Sequence, residues 1–197
     1  MAIAATLLVL EIGRESIGAD EDLGAWLLSR WPQYLAYLVS FTVIGLIWVA
    51  HHGMFDRVRA VDRLLLFSNL ALLLLVGFIP FPTQVLATYI EQGGRDAAVA
   101  TAFYSGVMTV IGIVFSLQWW YLDRHPNLMV ASVGPAQLRR SLLLSFVSPV
   151  AYALTIPLAF VNPYLSVSVY VLLALYFARG PSARALTALW DDPDRRA

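Results

Sequence analysis

Two neighbouring histidines, His51 and His52, close an apolar stretch in the pattern Trp48-x-x-His51-His52. An imidazole in such a setting can titrate near neutral pH, ligate a metal or hold a hydrogen bond. Trp48 and His51, three residues apart, are expected to share one helix face, with His52 turned by ~100°. Neighbours on a helix rarely chelate one ion. With no cysteine and no His-Glu-x-x-His motif in the chain, no metal site is expected. A structural hydrogen bond and a proton-sensing role both stay open for His51. Ser68 and Asn69, with Gln118 further along, are the next polar groups in apolar surroundings and read most simply as interhelical hydrogen-bonding residues. Asp62 and Arg63 look like an interfacial charge pair.

The start of the chain, Met1-Ala2-Ile3-Ala4-Ala5-Thr6-Leu7-Leu8-Val9-Leu10-Glu11-Ile12, offers a different chemistry. On a helix Ile3, Thr6, Leu7 and Leu10 fall at i, i+3, i+4 and i+7 and form one stripe. An apolar stripe with one hydroxyl can pack against a neighbouring helix or line a narrow pore, and the residues alone leave both open. Glu11, at the end of this run, could concentrate cations at a pore mouth or hold an interhelical contact.

These residues need elements to carry them. With 59% hydrophobic residues, 13% charged residues and a mean hydropathy of +0.71, the chain has too little polar surface for a soluble domain of its length. Apolar runs at 1–12, 32–53, 64–90, 97–122, 141–161 and 163–178 mostly reach the ~20 residues that cross a bilayer core of ~30 Å. The reading is all-α, a polytopic membrane protein of six transmembrane helices. One membrane domain covers 1–180 and a short cytoplasmic tail 181–197; the loops at 13–31, 54–63, 91–96, 123–140 and 159–164 are too short to fold alone. At about 1.5 Å per residue the first run covers only ~18 Å, so its helix is expected to continue upstream of Met1. Pro80 and Pro82 should kink or end the third helix near the outer face.

All basic residues are arginines. Arg57, Arg59, Arg63, Arg124, Arg139, Arg140, Arg179, Arg184, Arg195 and Arg196 fall on one side of the six-helix arrangement, against Arg14, Arg30 and Arg95 on the other. Arginine-rich loops stay inside, which makes both termini cytoplasmic. Trp26 and Trp31 near one boundary, and Trp119, Trp120 and Tyr121 near the other, suit interfacial aromatic belts. The formal net charge of +0 argues against nucleic acid as a partner.

Taken in order, the first run with its Thr6, then Trp48-Val49-Ala50-His51-His52 with Phe55, then Asp62-Arg63-Leu64-Leu65 with Asn69, then Pro80-Phe81-Pro82-Thr83, resembles the transmembrane protein 175 family of endosomal and lysosomal potassium channels in its bacterial branch. The likeness covers roughly residues 1–90. It implies a pore-forming homotetramer in a bacterial inner membrane, with the first helices around the axis, monovalent cations as cargo and no cofactor. The family's apolar constriction falls on Ile3, its hydroxyl layer on Thr6, and further apolar layers on Leu7 and Leu10. The resemblance also implies an Arg-x-x-x-Phe-Ser-Asp segment just ahead of Ala2 that ties the first helix to Trp48 and His51. Such a segment is expected upstream of Met1.

Other classes fare less well. A secondary transporter should show a broken helix with a charged midplane site, and an intramembrane enzyme needs a nucleophile with a base or paired acids. Neither pattern is visible; Ser68, Ser145 and Ser148 have no positioned base. A transporter or a proton-conducting protein stands as the alternative to a potassium channel.

Overall fold

The computed structural model describes Thr6 and residues 22–179. Its helices are α1 (Leu23–Ser29), α2 (Trp31–Phe55), α3 (Arg63–Phe78), α4 (Pro80–Tyr89), α5 (Gly94–Arg124), α6 (Pro135–Ser145), α7 (Val147–Val161) and α8 (Pro163–Arg179), with a 3-10 turn at Pro126–Leu128. The described architecture is thus all-α. Residues 31–55, 63–89, 94–124 and 135–161 are long and apolar enough to cross a membrane, and α8, with 17 residues, reaches the lower limit for a span. The first apolar run, apart from Thr6, and the tail 181–197 lie outside the described residues.

Local chemistry explains the boundaries. Asp22 caps α1 through Gly24 N–H at 3.1 Å, so a short helix stands where a plain loop over 13–31 is expected from sequence. Asp62 caps α3 through Leu65 N–H at 2.9 Å. Pro80 and Pro82 interrupt the helix at Ile79, because neither ring can donate into the ladder. The helix restarts as a further 10 residues, which puts the break well inside the span rather than near the outer face. Thr83 steadies the restart: its N–H and its hydroxyl both reach Ile79 O, at 3.1 and 2.9 Å. Between α4 and α5 the chain turns through Gly93 and Gly94 at φ 69° and 63°, a left-handed conformation that glycine adopts without a Cβ clash.

Helix α5 is the spine, packing against α3, α4, α6, α7 and α8, most extensively against α7. Its buried face is rich in small residues, among them Ala97, Ala100, Ser105, Gly112 and Ser116, which let helices approach closely. One apolar core fills the bundle centre around Leu72, Ile79, Met108, Ile111 and Tyr152. A second, around Met54, Leu65, Trp119, Leu122 and Met129, closes the end where α2 finishes and α3 begins. Trp119 is buried in that core at 5% exposure, so it does not serve an interfacial belt, whereas Trp120 is 43% exposed with Arg124 lying 4.9 Å from its ring centroid.

The loops at this end are tied together by main-chain bonds. Arg59 N–H donates to Leu128 O at 2.8 Å and Val130 N–H to Arg57 O at 3.0 Å, around a Val58–Met129 bridge. Arg57, Arg59, Arg63 and Arg124 therefore share one end of the bundle.

Candidate functional site

Of the apolar stripe, Thr6 is helical and exposed; Ile3, Leu7, Leu10 and Glu11 lie outside the described residues. The described site chemistry is concentrated at the arginine-bearing end, where α2 delivers its histidines.

His51 Nε2 sits 2.7 Å from Asn69 Oδ1, so the ring nitrogen donates to the side-chain amide across the α2–α3 contact. The same imidazole packs on Phe55 with ring centroids 4.6 Å apart. Trp48 goes elsewhere: its indole stacks on His52 at 5.5 Å and 10°, rather than sharing a face with His51. Helix geometry supplies the reason, since a residue four positions on is displaced by only ~40° and one three positions on by ~60°, in opposite senses. His52 Nε2 also approaches Asp56 Oδ2 at 3.6 Å. Trp48, His51, His52 and Asn69 thus divide into a His51–Asn69 pair and a Trp48–His52 stack.

Around the pair lie further polar groups. Gln118 Nε2 donates to Ser68 Oγ at a long 3.5 Å, and the Ser68 hydroxyl donates to Leu65 O at 2.8 Å. Gln118 is 1% exposed and its Oε1 lacks a hydrogen-bond partner. Asp62 is not engaged with Arg63. Besides capping α3, it accepts a hydrogen bond from the Tyr121 hydroxyl on α5. These two bonds, the tyrosine's foremost, hold the Asp62 carboxyl below its ordinary value. The Tyr121 ring in turn packs at a tilt of 32° against that of His125, with centroids 4.1 Å apart, and His125 Nδ1 lies 2.9 Å from Tyr121 O. Among the described residues no group of three or more His, Asp or Glu side chains converges as metal ligands.

Sequence reasoning missed a buried set of hydroxyls at mid-bundle. Ser40 on α2 meets Thr83 at 2.8 Å and Tyr104 at 3.3 Å; Ser105 meets Thr155 at 2.9 Å and Tyr170 at 2.6 Å. The Ser and Thr members are small polar residues in apolar runs, which alone signal only a bond to their own helix. Their convergence needs the packing of α2, α4, α5, α7 and α8.

Residues 1–80 match the family model described as endosomal/lysosomal potassium channel TMEM175. A potassium channel of Streptomyces collinus is 42% identical over 178 residues, 89% of this chain and 85% of that protein. The chain belongs to the TMEM175 family. The fold agrees: the crystal structure of a lysosomal potassium-selective channel TMEM175 homolog from Chamaesiphon minutus superposes with a TM-score of 0.78 at 38% identity, covering 93% of this chain and 91% of that one. An endosomal/lysosomal proton channel TMEM175 of Homo sapiens is 32% identical over 127 residues, 60% of this chain and 25% of its own length. As a TMEM175-family member with several membrane-crossing helices, the chain is a multi-pass membrane protein, and the family and its relatives are ion channels rather than enzymes.

Proposed function

We propose that this protein is a potassium channel, one subunit of a homotetramer whose first helices line the pore. The observation that carries the reading is the 42% identity to a potassium channel across 89% of the chain. The bundle's surface is compatible with it. Leu70 and Leu74 of α3 are 61% and 74% exposed, an apolar face that calls for lipid or a neighbouring subunit as cover. The arginine-bearing end faces the cytoplasm of a bacterial cell, both termini with it, and the protein resides in the inner membrane.

In this reading Ile3, Leu7 and Leu10 form apolar layers and Thr6 a ring of hydroxyls. A narrow apolar throat holds water poorly and an ion worse, so the Ile3 layer closes the pore by dewetting and opens by dilation. Thr6 hydroxyls then replace part of a cation's hydration shell, which is easier for potassium than for sodium. Glu11 lies toward the outer mouth, where a carboxylate concentrates cations.

Reversal potentials in liposomes or planar bilayers under a potassium–sodium gradient test this. The parent protein is expected to favour potassium modestly, Ile3→Asn to raise basal leak, and Thr6→Val to lower the preference while assembly survives. If both substitutions leave flux and reversal potential untouched, the first helix is not the pore. The human relative's designation as a proton channel favours a second reading, proton conduction. A reversal potential that follows the pH gradient rather than the potassium gradient selects it.

A further inference from the structure

At the end of the bundle opposite the arginine-bearing loops, α2, α4 and α8 leave an open crevice between them, with α5 at its base. Trp31, Leu35 and Val39 border it along α2, at intervals of four residues that mark one helix face. Tyr164 and Val167 border it from α8, and Leu86 and Ile90 from the end of the α4 segment. The rim is open, with Trp31 53% and Tyr164 52% exposed, while Ser40, Tyr104 and Tyr170 at the inner end are all buried. From Trp31 to Ser40 the crevice runs nine residues along α2, roughly 14 Å at ~1.5 Å per residue. That is close to half of a ~30 Å hydrocarbon core, the depth of one leaflet.

We propose that this crevice holds one acyl chain of a phospholipid from the leaflet at that end. Its long axis follows the helices, as acyl chains do, and Trp31 and Tyr164 mark its mouth with the aromatic types that sit at the headgroup level. No charged residue lines it among the described residues, so a polar or ionic ligand finds no counter-charge. Water is poorly served too. The Ser40 hydroxyl is engaged with Thr83 and Tyr104, that of Tyr170 with Ser105 and Thr101 O, and that of Tyr164 with Ile90 O at 3.1 Å. A water here would have few free partners, and apolar cavities of this kind stay dry or take apolar guests.

The test uses the full chain in phosphatidylcholine vesicles doped with a phosphatidylcholine carrying a photoactivatable diazirine mid-way along one acyl chain. After irradiation, adducts are mapped by mass spectrometry. The expected result is several-fold more adduct on Leu35, Val39 and Val167 than on Leu38 and Phe41, which are exposed on α2 away from the crevice. Ala36→Leu and, independently, Ala87→Leu should fill the space and abolish that excess, with labelling of Leu38 retained as the sign of an intact fold. Equal labelling of both faces of α2, or an excess that neither substitution reduces, overturns the proposal. So does efficient disulfide formation between copies through Leu35→Cys, which means that a neighbouring subunit covers the crevice.

Discussion

His51 and Asn69 stand 2.7 Å apart on different helices, so each is the other's test. Interhelical hydrogen bonds of this kind average about 0.6 kcal/mol and reach about 1.7. His51→Ala and Asn69→Ala should therefore each lower thermal stability in detergent by that order, with the double variant little worse than either single one and with ion preference unchanged. Unaltered stability together with an altered pH dependence of flux assigns His51 to proton sensing instead. Asp62 makes a second case. Because its carboxyl is held below its ordinary value, the charged form stabilises the fold at every pH above about 4, and that contribution fades as pH falls through the lowered value. Asp62→Asn keeps a side chain able to cap α3 but removes the charge. The stability gap between parent and variant should be constant from about pH 7 to pH 5 and narrow only as pH falls below the ordinary carboxylate range toward the lowered value; a gap that grows on acidification contradicts the assignment.

Among the elements, the contact between α5 and α7 is the tightest constraint. A Cβ added at Gly112 would lie 2.8 Å from Pro149 Cδ and 3.0 Å from Pro149 N, and a proline backbone cannot yield as a flexible side chain can. Gly112→Ala should cost about 1–3 kcal/mol by overpacking. Gly106, on the same helix, has nothing within 4 Å of such a Cβ, so Gly106→Ala should be neutral or stabilising by up to ~1 kcal/mol. Melting temperatures of the two variants in one detergent measure the difference, and equal behaviour rules out the close approach. Runs of apolar residues announced nearly every one of these helices, because a membrane span must be apolar over its length. They could not announce that α5 lies at the centre. Centrality depends on which faces meet, and in a chain apolar on all sides the periodicity that marks a buried face is weak.

For the molecule as a whole, the expected assembly is four copies of a 21.8 kDa chain. Native mass spectrometry from mild detergent should find the tetramer, and monomers or dimers alone would contradict it. A tetramer also gives the exposed α3 face a neighbour or a lipid annulus to meet.

Composition determined the membrane class, since so apolar a chain has no other solvent in which to fold, and the order of short motifs from Thr6 through Thr83 carried the family. Asn69 was legible as a polar residue that needed a partner, and His51 as a candidate donor. What only the tertiary structure decided is who meets whom: Trp48 with His52 rather than His51, Asp62 with Tyr121 rather than Arg63, and Ser40, Tyr104, Ser105 and Tyr170 gathered from separate helices. The physical reason is common to all three. A buried polar group must find a partner, but helix rotation and packing choose which one, and neither is encoded in local spacing.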